Sequence, residues 1–295
     1  MVVRRVLPGE TGPSGGPAMT DVLGVCTAWA DGVCVVAPSS GGPPVTIRIA
    51  DIVSGKPVPP RPSPRLRVTP REAQVRAFAL FPDLVVAPVP GPSGWLLRSS
   101  PTATARRANS VLAFPSTSYE SKALGHNSYD VATVTEVEGH YRTLGKPAVA
   151  AVLAESDERT FLAGLGWVPE SHDADTQFQL ASVAVARRAL RGVDTDGVLV
   201  TVEEDGVVSA SMPGARGFAA YADDWVGFRG IEVAPEHRRE GLARTVMAAL
   251  LEWGAERGAT TAYLQVLGHN APALALYEGM GFTTHHAYAY LTPRR

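Results

Sequence analysis

The chain has 295 residues, 45% hydrophobic, 7% aromatic and 19% charged, the composition of a globular protein of about two domains. Its 27 Lys+Arg against 29 Asp+Glu leave a net charge of −2, which removes the simplest electrostatic argument for a nucleic-acid or anionic-membrane partner. No apolar run approaches the roughly 18 residues that span a bilayer, and residues 1–6 lead into Pro/Gly-rich sequence instead of an apolar signal core, so a cytoplasmic location is expected.

Residues 1–58 read as a small all-β unit. The β-rich pieces Met1–Leu7, Val22–Trp29, Val33–Ala37 and Val45–Ile49 are separated by turn clusters such as Gly12–Pro17 and Ser39–Pro44, and so many short strands suggest an SH3-like barrel. Asp31-Gly32 is a two-residue hairpin signal. It pairs Cys34 with Trp29 and sends Cys26 to the opposite face, which excludes a disulfide; a three-residue turn would change that parity. Prolines crowd Lys56–Pro64 and force an extended chain, so residues 59–68 are expected to be a stiff linker. Such a barrel would offer a site for a protein partner.

From about residue 70 helical and strand patterns alternate. Helices are predicted over Pro70–Leu80 and Val131–Leu144, and strands over Gly94–Arg98, Val111–Phe114 and Ala148–Leu153. Thr160–Gly166 carries a helix-ending Gly before Trp167, and Phe178–Val185 alternates like a strand. Gly197–Val202 and Val207–Met212 flank a second hairpin signal. Arg159–Trp167 echoes Ala275–Phe282 and hints at an internal duplication.

The most informative segment is Gly227–Arg244. A strand-like run ends at Pro235, a polar loop follows, and then Leu242, Val246, Leu250 and Trp253 recur at helical spacing. The first amides of such a helix have no internal partners and point outward at the positive end of its dipole, which makes an anion site. Gly241 and Ala243 are small enough to admit a phosphate. Arg238, Arg239 and Arg244 are matched by Glu232, Glu236 and Glu240, so oriented amides, and not net charge, must supply the field.

Arg238-x-x-Gly241-x-Ala243, preceded by Val233-x-Pro235, resembles the acetyl-CoA pyrophosphate loop of the GCN5-related N-acetyltransferases. Further features follow in the family's order: a strand Thr261–Leu267, Asn270 as a helix N-cap, and Tyr277 before Gly279-Met280-Gly281-Phe282. The arrangement with an N-terminal SH3-like unit is similar to an actinobacterial, histone-acetyltransferase-like group. The resemblance implies an α/β mixed sheet flanked by helices. It implies an acetyl-CoA-binding core over residues 191–295, which could begin near residue 150, preceded by a degenerate lobe over 69–190. It implies cofactor contacts from Ile231, Val233, Arg238, Arg239, Glu240, Gly241, Leu242, Ala243, Arg244, Asn270, Ala273 and Tyr277, and no metal. His237, His269, His285 and His286 are accordingly expected to be surface histidines.

The implied reaction is direct transfer of an acetyl group to an amine, a protein lysine, a peptide N-terminus or a small molecule. Tyr277 would protonate the leaving thiolate. A lysine-like amine is neutral in only about one molecule in 2,500 at pH 7, so a base is needed, and Glu232 is the candidate. The amide of Val233 or a neighbour would polarise the thioester carbonyl. Loops around residues 100–130 and 210–225 would shape the acceptor site. The alternative is a catalytically weak, acetyl-CoA-binding regulatory protein that keeps the phosphate loop.

Overall fold

The computed structural model describes residues 1–13, 15–39, 41–56, 64–115, 129–203 and 206–294, which form two compact units, Met1–Ser63 and Pro64–Arg295. Half of the expected linker, residues 59–63, lies outside the described residues, and Pro64–Arg67 is a 3-10 turn.

The first unit is an antiparallel sheet in the order β4-β3-β2-β1-β5, built from β1 (Val2–Thr11), β2 (Pro17–Ala30), β3 (Val33–Pro38), β4 (Val45–Arg48) and β5 (Ile52–Lys56). Val3, Cys34, Val36 and Ile47 are its buried core. The Asp31-Gly32 turn forms as the sequence predicts, with φ of 52° and 75°, and Trp29 pairs with Cys34. The expectation for Cys26 fails one step further on. Ala28 pairs with Val35 but Cys26 with Val36, so Thr27 is bulged out of the ladder and the parity of everything before it flips. Cys26 therefore shares a face with Cys34, and the two sulfurs lie 3.7 Å apart.

No boundary near residue 190 divides the second unit. Its twelve strands, counted among the described residues, form one mixed sheet in the order β12-β13-β14-β15-β16-β11-β17-β9-β8-β7-β6, with β10 beside β17. In chain order, α1 (Pro70–Arg76) opens it, started by a capping box in which Thr69 and Glu72 each accept from the other's backbone amide. Then come β6 (Val85–Pro88), β7 (Leu96–Ser99), β8 (Val111–Leu112), α2 (Val131–Thr143), β9 (Ala150–Leu153), α3 (Asp157–Gly164) and β10 (Trp167–Pro169). The remainder is β11 (Asp175–Ser182), α4 (Val183–Ala189), β12 (Leu199–Val202), β13 (Val208–Met212), β14 (Ala215–Ala222), β15 (Trp225–Val233), α5 (Leu242–Glu256), β16 (Thr261–Leu267), α6 (Ala271–Gly279) and β17 (Thr283–Pro293).

The sheet is palindromic. β6-β7-β8, then α2, the parallel strand β9, α3 and β10 repeat the path of β13-β14-β15, α5, the parallel strand β16, α6 and β17. Both second helices exit through a glycine at φ 84°, Gly166 before Trp167 and Gly281 before Phe282, the segments whose sequences echo each other. The halves also exchange strands. β11, which follows the first half, pairs with β16 of the second, while β17 pairs with β9 of the first.

Helix α5 buries Val246, Met247, Leu250, Leu251 and Trp253 against β13, β14 and β15. On the opposite face Gly227 meets Tyr263, where an added Cβ would sit 2.1 Å from Cζ. That ring cannot give way, because it stacks on Phe178 at 5.6 Å and donates its hydroxyl to the Arg76 carbonyl at 3.2 Å. Gly227→Ala should cost about 1–3 kcal/mol by overpacking. Thermal denaturation reads this directly, and an unchanged midpoint would show that the sheet yields there.

Candidate active site

The β15–β16 ladder runs from the Trp225/Thr261 pair to the Phe228/Leu264 pair and stops. Immediately beyond it, Gly230 and Ile231 together oppose Gly217 alone on β14, a bulge with Gly230 at φ 58°. A bulge bends its strand, and here β15 parts from β16 at that point. The parting opens a cleft of about 820 Å³. Its walls bring together Ile231 and Val233 from β15, Arg238, Arg239 and Gly241–Arg244 from the loop and first turn of α5, and Asn270, Ala273 and Tyr277 from α6.

Gly241 is the N-cap of α5, at φ 88°, with no side chain to satisfy the first amides and nothing within 4 Å of the position a Cβ would take. Arg244 and Thr245 donate to the Gly241 carbonyl at 2.8 and 3.2 Å. The amides of Leu242 and Ala243 precede the helical ladder and remain for a ligand. Arg244 lines the cleft, but its donors have protein partners. The Arg244 amide is taken by Gly241, and its guanidinium donates to the Ala189 carbonyl at 3.0 Å, at the end of α4. Glu240 is absent from the cleft walls, its carboxylate lying 3.2 Å from His237 Nδ1.

The equivalent helix of the first half is built differently. Asp130 caps α2, its Oδ1 accepting from the Thr133 amide at 2.9 Å, so a carboxylate already occupies the place a phosphate would take. Of the acceptor loops, residues 116–128 lie outside the described residues.

Asn270 caps α6 through Oδ1, which accepts from the Ala273 amide at 3.2 Å. Tyr277 is buried, edge-on to Phe282 at 5.9 Å. Burial pushes its pKa up to about 12, opposed by the positive charge of Arg107. Arg107 was invisible to sequence reasoning. It sits on a 3-10 turn, Arg106–Ala108, of the other half, and its Nη2 donates to the Gln265 carbonyl on β16 at 3.0 Å. Only the strand exchange brings it near α6, and no local motif marks it.

Glu232, the expected base, borders this cleft as well. Ile231 and Val233 pack against the core under α5, so alternation turns Glu232 to the other face. There it accepts from Arg216 at 2.7 Å, both side chains more than half exposed, beside a separate hollow of about 570 Å³. The four histidines are scattered. His237 is beside Glu240, His269 lies 3.0 Å from Asp173, and only His285 and His286 touch each other. Burial, followed by the effect of His285, lowers the His286 pKa to about 3, so this imidazole is a neutral core group and not the surface histidine expected. Among the described residues no three metal-ligating side chains cluster.

Residues 167–291 match the family described as "Probable histone acetyltransferase Rv0428c C-terminal". Streptothricin acetyltransferase of Streptomyces lavendulae is 37% identical over 32% of this chain and 62% of its own. The protein named probable histone acetyltransferase Rv0428c, of Mycobacterium tuberculosis, is 43% identical over 23% of this chain and 22% of its own. The [ribosomal protein bS18]-alanine N-acetyltransferase of Escherichia coli strain K12 is 42% identical over 18% and 35%. The chain thus spans less than two thirds of the length of each of these relatives. A GCN5-related N-acetyltransferase from Kribbella flavida shares the fold, at a TM-score of 0.52 and 14% identity over 76% of this chain and 95% of that one. Residues 167–291 are thus similar in sequence to the Rv0428c C-terminal family, and over 76% of its length the chain shares the fold of a GCN5-related N-acetyltransferase.

Proposed function

We propose that the protein is an acetyl-CoA-dependent N-acetyltransferase that transfers the acetyl group directly to an amine. The observation that carries this reading is the uncapped start of α5 at Gly241, opening on a cleft that reaches Tyr277. When bound, acetyl-CoA supplies a thioester that an amine can attack, with the thiolate as leaving group. The residues present suit it. The amides of Leu242 and Ala243 would hold the pyrophosphate at the positive end of the helix, with Arg238 and Arg239 flanking it. The main-chain groups of Ile231–Val233, released from the ladder by the bulge, would line the pantetheine arm and polarise the thioester carbonyl. Tyr277 keeps its proton through the neutral range and would deliver it to the departing sulfur, and the Arg107 charge favours that transfer by stabilising the phenolate. Glu232, which borders the cleft and accepts from Arg216 in an exposed ion pair, would take the proton from the amine.

Relatives named for streptothricin and for the alanine of ribosomal protein bS18 bracket the acceptors to screen. Release of free thiol from acetyl-CoA on a panel of amines and peptides tests the activity. A folded protein that binds acetyl-CoA yet turns over no amine would favour a cofactor-binding regulatory role.

We also infer that the first unit is an SH3-like module for a protein partner. Its strand order, with β1 between β2 and β5, supports the module, and the exposed Leu23, Val25 and Trp29 support the partner. The chemistry would then lie wholly in the second unit. A chain beginning at residue 64 should bind acetyl-CoA as the full chain does. Calorimetry on the truncated protein checks this, and lost binding in a folded sample would mean that the first unit completes the site.

A further inference from the structure

Cys26 and Cys34 are the only cysteines in the chain. The bulge at Thr27 places them on one face of neighbouring strands, diagonal to each other across the hairpin, with Sγ atoms 3.7 Å apart. We propose that they form a reversible dithiol–disulfide site, oxidised by a low-molecular-weight disulfide. Two differences between the thiols divide the work. Cys26 is only partly buried, and besides Cys34 its sulfur touches the Ala28 carbonyl at 3.3 Å. It is the thiol a reagent reaches. Cys34 is wholly buried with Val3, Val36 and Ile47, and burial raises its pKa, so it is the poorer attacking thiolate and the natural resolving partner.

In the first step the Cys26 thiolate attacks one sulfur of the reagent, forming a mixed disulfide and expelling one thiolate. Cys34 then loses its proton and attacks the Cys26 sulfur, and the second reagent thiolate leaves. The two protons from the cysteines end on the two released thiols, and the two electrons given up by the cysteines reduce the reagent. The sulfurs must approach to about 2.05 Å. Rotation of the partly exposed Cys26 side chain supplies most of that movement, and the ladder is already interrupted at Thr27, where the strand can adjust. The bridge would staple β2 to β3 around the Asp31-Gly32 turn and lock the bulged register.

The test uses the full chain treated with oxidised glutathione, followed by thiol titration under denaturing conditions and mapping of proteolytic fragments by mass spectrometry. The thiol count should fall from two to none, with a mass loss of about 2 Da and a single fragment pair joined through Cys26 and Cys34, and dithiothreitol should restore both thiols. In Cys34→Ser the reaction should stop at one glutathione on Cys26. Two glutathione adducts on the wild type, a bridge between two chains, or two unreacted thiols would overturn the proposal. The wild-type mapping needs no variant, so a poorly folding Cys34→Ser would not weaken the decision.

Discussion

Gly241→Glu is expected to abolish measurable acetyl-CoA binding while leaving the fold in place. A Cβ at this position meets nothing within 4 Å, so the side chain starts into the open mouth of α5 and not into the core. Its backbone, at φ 88°, strains a non-glycine residue by about 1–2 kcal/mol. A carboxylate at a helix start recovers part of that strain. The damage falls on the ligand, because the new charge lies where the pyrophosphate would sit and can bond the amides meant for it. Asp130 does the same to α2 in the other half. Like charges in such contact cost several kcal/mol, a loss of about 10²-fold or more in affinity. Since α2 is closed by its own cap, no second site compensates, and wild-type titrations should saturate at one acetyl-CoA per chain. Calorimetry with a circular-dichroism check measures this, and Gly241→Ala separates backbone strain from charge. Unchanged affinity in folded Gly241→Glu would remove the phosphate site from α5.

Tyr277→Phe should reduce kcat by about 10²-fold, within the usual range for a lost general acid, with acetyl-CoA affinity almost unaltered. The ring keeps its edge contact with Phe282, so packing is preserved and only the proton donor goes. Because burial lifts the phenol to about 12, the wild-type enzyme should show no alkaline loss of kcat traceable to this group up to about pH 10, where an ordinary tyrosine would already be half ionised. Steady-state rates against pH on a validated amine check both statements. Equal turnover by the variant would leave Tyr277 a packing residue.

The site was legible in the sequence where its logic is local. Arg238, Arg239 and Gly241–Arg244, the Asn270 cap and Tyr277 are each written within a few residues of sequence, and the structure gathers them around one cleft. What escaped depends on backbone register or on distant chain. The bulge at Thr27 has no glycine or proline to announce it, so the two cysteines were placed on opposite faces. Gly230 could have marked the bulge that opens the cleft, since a glycine inside a strand pattern is a recognised sign. Strand β14, with its run of alanines and glycine, carries too little apolar contrast to stand out. The first half was hard to read because the third strand of its meander, β8, is only two residues long and its helix start carries Asp130 in place of the glycine that makes its counterpart recognisable.

The exchange of strands between the two halves also bears on how the chain can be made. Translation delivers residues in numerical order, and domains ordinarily fold as they emerge. Here the neighbour of β9 is β17, residues 283–293, the last strand of the unit to appear. Until then β9 and β11 each wait with one edge open, and β9, made of two alanines, a valine and a leucine, is the kind of edge that recruits foreign strands. A nascent chain with both halves nearly complete is therefore still unsealed along the middle of its sheet. A ribosome stalled just short of residue 283 would present a molecule open at its centre.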